Sequence, residues 1–412
     1  MSSLSLSLLT VISFAVKAEP VSQHHVVIAA QCLTKNLSAE HKILSTTSKL
    51  ALIETNDNGI DQLSAAKHQL KCGGFMDVTS DWNEFKAKKT VGADKAKAFL
   101  LEEEKPAKTL RTTNNQQFDI KYQTQVNQAL KQLNPQAMWN NLTTLTNFTN
   151  RNATSTEGIN AAKWIKTQIE TIAKETGHDD VTAYFIETCK KGTDGKCTGS
   201  GTSYNQPSVV AKFGTGTGPG IVIGGHMDTD SWTSTRQPGA DDDGSGSVTV
   251  LETARTLLSS GMKFNKPIYF IWYAAEEKGL VGSKYVVDYF KANNIPVDAV
   301  IQFDMTGYAN DSTIWLINDY VNPSLTGYLE TLINTYVKQP VKYTKCDYAC
   351  SDHASWYKGG FASSMPFESE FGKDNEAIHS SKDTMDKLTL SHMTDYAKLA
   401  IAFAIELAEP AA

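Results

Sequence analysis

Past residue 20 the chain holds no apolar run approaching the length needed to span a bilayer, so a membrane partner is excluded once the N-terminal stretch is gone. No run of Lys or Arg occurs, and 39 cations against 45 anions give a net charge of -6, which argues against nucleic acid as a partner. No C-x-x-C pair is present, so a cysteine-held metal has no motif to rest on. There is no internal repeat. Hydrophobic residues at 41% and charged residues at 20% exclude a disordered chain. At 412 residues the chain is too long for one ordinary domain and suits two.

What is present begins with an export signal over residues 1–18. Residues 4–16 are a short apolar stretch, and Val16-Lys17-Ala18 places a small residue before a cut at Glu19, although the usual basic opening is missing. A core helix is the bland alternative. Six cysteines fall by spacing into Cys32 with Cys72, Cys189 with Cys197, and Cys346 with Cys350. Six cysteines allow about fifteen connectivities, so the spacing leaves the pairing open. An even count behind an export signal favours disulfides and an oxidising compartment.

Residues 19–117 read as a separate small α+β unit, with strands at 25–30 and 50–55 and a turn at Cys72-Gly73-Gly74-Phe75. The stretch from Glu102 to Gln117 has the composition of a linker: polar, with a Pro, several cations and no apolar period. No chemical constellation precedes it. From residue 118 the pattern changes. Helical segments at 126–133, 137–145 and 158–172 lead into apolar strands at 221–226, 268–275, 300–305, 313–318 and 364–368. Helices at 245–258, 281–290, 324–336, 352–357 and 391–407 alternate with them. Such alternation predicts an α/β domain with a mostly parallel sheet and helices on both faces.

Five short segments hold nearly all the polar residues of interest: GGHMD at 224–228, ADDDGSG at 240–246, AEEKG at 275–279, FDMTG at 303–307 and IHSSKDT at 378–384. Three of them follow the end of an apolar strand, where open parallel sheets bind ligands. Each has a bland reading. His226 alone would be a structural histidine, Glu276-Glu277 a solvated pair, and the triple Asp a helix cap. Asp304 after an apolar run is harder to dismiss, because a buried unpaired carboxylate is costly. Imidazoles and carboxylates recurring at one end of one sheet point to metal, since like charges share a site only around a cation.

The ordered series GGHMD, GADDDGSG, YAAEEKGLVGS, QFDMTGY, CDYACSDHASW, MPFESEF and IHSSKDT resembles the secreted bacterial leucyl aminopeptidases of the co-catalytic di-zinc exopeptidase family. The resemblance runs from about Phe118 to the C-terminus. It implies a three-layer α/β domain at 118–412 with a mixed, mainly parallel central sheet. It also implies two zinc ions. Asp242 would bridge them, with a cis peptide before Asp243; His226 and Asp304 would complete one site, Glu277 and His379 the other. All are N or O ligands, as catalytic zinc requires. Glu276 resembles the general base, and neighbours at a strand end point opposite ways, so Glu277 can face metal while Glu276 faces water. Asp228, two residues beyond His226, can orient its imidazole. Tyr348, in a loop closed by Cys346–Cys350, would be the oxyanion donor.

By the same resemblance the side-chain pocket is Met305, Ile317, Met365, Phe367, Phe371 and Ile378, which suits large apolar N-terminal residues. Ordinary core is the bland reading of these six. Asp374 falls where relatives carry an aromatic and opens the alternative of Lys or Arg. The expected partners are peptides or proteins with a free N-terminus and the chain's own N-terminal unit, acting as a prosegment removed by a cut between residues 105 and 117. The expected state is a secreted monomer, exported by way of the periplasm. Three rivals are weighed. A glutaminyl cyclase of the same fold holds one zinc, a carboxypeptidase needs an Arg cluster for a free carboxylate, and a silent binding module loses ligands. The complete ligand set disfavours the first and third, and no such Arg cluster is seen.

Overall fold

The computed structural model describes residues 23–70, 73–88, 94–104, 118–191, 197–198, 203–216, 218–231 and 234–411. The export signal, Cys72 and the stretch 105–117 where a cut is expected lie outside the described residues.

In the N-terminal unit, strands His24–Ala30, Lys42–Thr46, Leu50–Asn56 and Phe75–Asp77 form an antiparallel sheet with His24–Ala30 and Leu50–Asn56 in the middle. Alternate residues of the first strand face opposite ways, as a pleated strand requires. Val27 and Ala29 pack on Ile60 and Leu63 of the helix Asp57–Gln69. Val26 and Ile28 pack on Trp82, Phe99 and Leu100 from helices Thr79–Lys88 and Lys95–Glu103, and this second cluster takes in Leu280, Ala349 and Ala354 of the larger unit. The unit is α+β as expected, but the positions of its three helices and of strands Lys42–Thr46 and Phe75–Asp77 were not assigned from the sequence, and the expected linker begins inside a helix, at Glu102 and Glu103. Few apolar residues mark the last two helices: Thr79–Lys88 buries Thr79 and Trp82, and Lys95–Glu103 buries Phe99 and Leu100.

The larger unit is built on a six-stranded sheet in the order Ser363–Ser364, Val297–Gln302, Gly220–His226, Ile268–Tyr273, Ser208–Phe213, Val181–Ile186. The first four strands are mutually parallel, and Ser208–Phe213 runs antiparallel to both of its neighbours. Every residue of Gly220–His226 and Ile268–Tyr273 is buried, which is why both read as unbroken apolar runs. Ile221 and Ile223 face helices Gly246–Ser259, Leu390–Ala408 and their neighbours on one side. Val222 faces Val281–Ala292 and His353–Lys358 on the other, giving three layers. Strand Ile314–Ile317 lies outside this sheet, paired with Val341–Thr344 and Pro366–Phe367. The run at 364–368 therefore divides at Met365 between two sheets; Pro366 has no N–H to continue the first ladder.

Candidate metal centre

The strands Gly220–His226, Ile268–Tyr273 and Val297–Gln302 are adjacent and parallel, so their C-terminal ends open on one crevice. His226 ends the first, Glu277 follows the second, and Asp304 follows the third. Asp242 arrives on the turn that enters Gly246–Ser259, and His379 on a turn where its φ is 54°. His226 Nε2 lies 3.1 Å from Asp242 Oδ1 and 3.5 Å from Asp304 Oδ1. His379 Nε2 lies 2.8 Å from Asp242 Oδ2 and 2.9 Å from Glu277 Oε2. Two buried triads result, and Asp242 presents one oxygen to each.

The triple Asp divides its labour. Asp243 turns away: its oxygens accept from the amides of His226 at 3.0 Å, Gly246 at 2.8 Å and Met305 at 3.0 Å, tying three segments together. The helix-cap reading of the triplet is thus met by Asp243 alone. Asp241 accepts from the Gly307 amide and from Asn375 Nδ2, at 3.2 Å and 3.0 Å. Asp383 accepts from the amides of both Asp241 and Asp242, at 3.0 Å and 3.1 Å. The peptide between Asp242 and Asp243 is cis.

The donor set fits a pair of metal ions. His226 Nε2 and Glu277 Oε1 are buried without hydrogen-bond partners. Burial alone would lower the pKa of His226, yet Asp304, Asp228 and Asp242 outweigh it and hold it well above the ordinary value. His379, likewise opposed by burial, is carried to about 10 by Glu277 and Asp242. Burial would raise Asp242, but His379 and His226 hold it well below the carboxylate range. The crevice thus demands positive charge at two places, which divalent cations bonded to neutral imidazoles supply in place of protons.

Asp228 does more than its spacing suggests. Its Oδ1 is 3.4 Å from His226 Nδ1, and its two oxygens accept the amides of Glu276 at 3.0 Å and Glu277 at 3.2 Å. The strand has ended and the chain turns at Ala275, with φ of 52°, so a carboxylate clamp, not strand alternation, sets where these two glutamates stand. Glu276 has its pKa pushed well above the usual range by burial, with Asp304 and Glu277 adding to it against the pull of His226 and Lys67. Tyr348 lies within the Cys346–Cys350 disulfide loop, whose amides at Cys346 and Asp347 are held by Asp319 at 3.0 Å and 2.7 Å. Cys32 and Cys189 are also disulfide-bonded. Cys72 and the Cys197 side chain lie outside the described residues, so those two pairings are not described.

A cavity of about 740 Å³ opens beside the triads. Met305, Met365, Phe367, Phe371 and Ile378 line it, with Asp374 on the same wall. Ile317 belongs to the same apolar cluster but is fully buried behind Met365, whose carbonyl accepts its amide at 3.0 Å. Part of the wall comes from the N-terminal unit, through Gln31, Lys49, Lys67 and Gly73.

Two residues near the site were missed. Lys67, on helix Asp57–Gln69, places Nζ 3.3 Å from Glu277 Oε2. It shares a helix face with Ile60, Leu63 and Ser64, so a charge on an apolar stripe was the available signal. Arg151 is fully buried and donates to the carbonyls of Leu145, Met227, Pro238 and Gly239, at 3.2, 2.8, 2.6 and 2.8 Å. Burial lowers its pKa to about 10. A lone Arg among Asn and Thr gave no signal of this.

Comparisons with known proteins follow the same lines. Residues 208–404 match peptidase family M28. The chain is 36% identical over 305 residues to leucine aminopeptidase 1 of Coccidioides posadasii, covering 70% of this chain and 75% of that one. Among solved structures, the LapA aminopeptidase of Legionella pneumophila superposes with a TM-score of 0.81 at 40% identity, covering 94% of this chain and 99% of that one. LapB of the same organism gives 0.79 at 36% identity, covering 94% and 100%. The matched range 208–404 contains all five residues of the two triads, and the chain therefore belongs to peptidase family M28 as a metallo-aminopeptidase.

Proposed function

We propose that this metallo-aminopeptidase is an exported di-zinc enzyme that removes large apolar N-terminal residues, with its N-terminal unit acting as a prosegment. The observation that carries the metal reading is the sharing of Asp242, one oxygen to each triad. His226, Asp242 and Asp304 would hold one zinc, and Asp242, Glu277 and His379 the other. When bound, the pair polarises the scissile carbonyl and lowers the pKa of water.

The remaining work falls to side chains. Glu276, whose raised proton affinity suits a base, takes a proton from water and delivers it to the leaving amine. Asp228 fixes the His226 ring and the backbone of both glutamates. Tyr348 donates to the carbonyl oxygen as charge develops there. Met305, Met365, Phe367, Phe371 and Ile378 receive the side chain, and Ile317 supports Met365 from behind. Asp374 keeps Lys or Arg as the second reading: it stands on the cavity wall, and burial raises its pKa, which disfavours charge there unless a cation joins it. Amides of Leu, Lys and Glu, assayed with and without chelator, test both. A Lys amide cleaved faster than a Leu amide would reverse the ranking, and Asp374→Asn would show whether that carboxylate is responsible.

The prosegment reading is supported by contacts at the chemistry. Asp61 pairs with Lys278 at 2.6 Å, and the Asp77 amide donates to Gly279 at 2.9 Å. Gly73 and Gly74 lie so close to the Tyr348 ring that a Cβ on either would come within 2.5 or 2.7 Å of it. No described helix is long and apolar enough to cross a membrane. Limited proteolysis at 105–117 should raise activity, and the fragment added back should inhibit. Equal activity before and after the cut would favour a permanent domain that shapes the cleft.

A further inference from the structure

The N-terminal unit does more at the crevice than cover it: it inserts a charge. Lys67 is the seventh residue after Ile60 on helix Asp57–Gln69, so it rides the buried face of that helix rather than its solvated one. Its side chain is only 20% exposed, and its Nζ donates to Glu277 Oε2 at 3.3 Å. That oxygen is the one 2.9 Å from His379 Nε2, so the ammonium and the second triad share a single ligand atom. One turn earlier, Ser64 Oγ donates to the Glu277 carbonyl at 3.4 Å, which holds the helix at this spot. The other triad is treated differently. Around His226, Asp242 and Asp304 the nearest charged partner is the Asp228 carboxylate; Arg151 acts on Asp228 and Asp242 only at a distance, its guanidinium spent on backbone carbonyls, and among the described residues the Lys or Arg paired with a triad oxygen is Lys67, on Glu277.

We propose that Lys67 makes the two metal positions unequal while the N-terminal unit is docked. The His226–Asp242–Asp304 position is the tight one. The Asp242–Glu277–His379 position stays weak until Lys67 is withdrawn. The cause is electrostatic: a fixed ammonium on a ligand oxygen repels a divalent cation and competes for that oxygen's lone pair, in a buried place where water screens poorly. In the absence of the second metal the same ammonium compensates the buried Glu277 carboxylate, so the folded chain is not left with an unpaired charge. The inference rests on the two-metal reading. It adds that departure of the N-terminal unit is what completes the pair.

The test measures metal binding, not turnover. Full-length chain stripped with chelator is titrated with Zn²⁺ by calorimetry, beside full-length Lys67→Met and Lys67→Arg. Two sites at least ~10-fold apart are expected in the parent. Lys67→Met should tighten the weaker site by ~10-fold or more and leave the tighter one in place, and Lys67→Arg should keep the gap. If Lys67→Met fails to fold, Lys67→Gln serves as the neutral variant. Equal sites in the parent, or a weak site unmoved in the neutral variant, overturn the role of Lys67 and leave the two-metal reading standing. A single zinc in every chain overturns that reading and the inference with it.

Discussion

At the scale of single residues, the proposed function puts metal binding and proton transfer on different groups. Glu276 belongs to neither triad, although it stands between Asp228 and Glu277 in the same crevice. Burial keeps its proton affinity high. Glu276→Ala should therefore lower turnover by ~10²–10⁴-fold while metal per chain stays as in the parent. Turnover above about one tenth of the parent, or loss of metal in proportion to activity, would remove it from the role of base. Asp242 and Asp243 make the complementary point: of two identical neighbours, one belongs to both triads and the other ties three backbone segments together.

Elements position these residues through buried polar ties more than through the sheet alone. Strand ends bring His226, Glu277 and Asp304 to one edge. The loop bearing Asp242 has no strand under it and is held by Asp383, Asp243 and Arg151. Arg151 closes the segment from Met227 to Gly239 with four backbone carbonyls as acceptors. Removing it takes a donor from each, although Gly239 keeps the Gly244 amide at 3.0 Å, and costs ~1–3 kcal/mol for each carbonyl that stays unsatisfied. Arg151→Met should lower unfolding stability by about 3 kcal/mol or more. It should also speed metal loss to a chelator, because Gly239 leads directly into the Asp242 turn. Urea unfolding and chelator kinetics check the two parts; a stability change below about 0.5 kcal/mol would mean the loop is held by other ties.

Across the whole molecule, the N-terminal unit is joined to the larger one by ion pairs and backbone bonds around the crevice, and its own stability is tied to pH. His25 is fully buried, with Nδ1 3.0 Å from Asp77 and Nε2 2.9 Å from Asp57. Burial opposes its charge, but the two carboxylates outweigh this and raise its pKa above the ordinary value. A raised histidine stabilises the folded unit fully below its unfolded pKa of about 6.5 and loses that stabilisation as pH rises through the folded value. Asp77 also carries the bond to Gly279, so docking should weaken with it. Melting of the N-terminal unit should thus fall as pH is raised from about 6.5, and His25→Gln should flatten the dependence. A parent melting profile that is level across this range would count against His25 as its source.

Much of the larger unit was legible in the sequence, because its information is local. Buried parallel strands are unbroken apolar runs, their ends carry His226, Glu276-Glu277 and Asp304, and GGHMD, ADDDGSG and IHSSKDT are short enough to be read whole. Strands Val181–Ile186 and Ser208–Phe213 were not read from the sequence: the first is the half-buried edge and mixes polar with apolar residues, and the second, though buried at all but Lys212, is a short apolar run interrupted by that Lys. The sequence by itself determined the family, the five residues that form the two triads, and five of the apolar residues that line the cavity. Only the tertiary structure decided that Asp228 clamps two glutamates, that Arg151 secures the Asp242 loop, and that Lys67 reaches Glu277 across 210 residues of chain. The physical reason is range: a motif is written in neighbouring residues, whereas a buried charge acquires its role from whatever distant group the packed chain sets beside it.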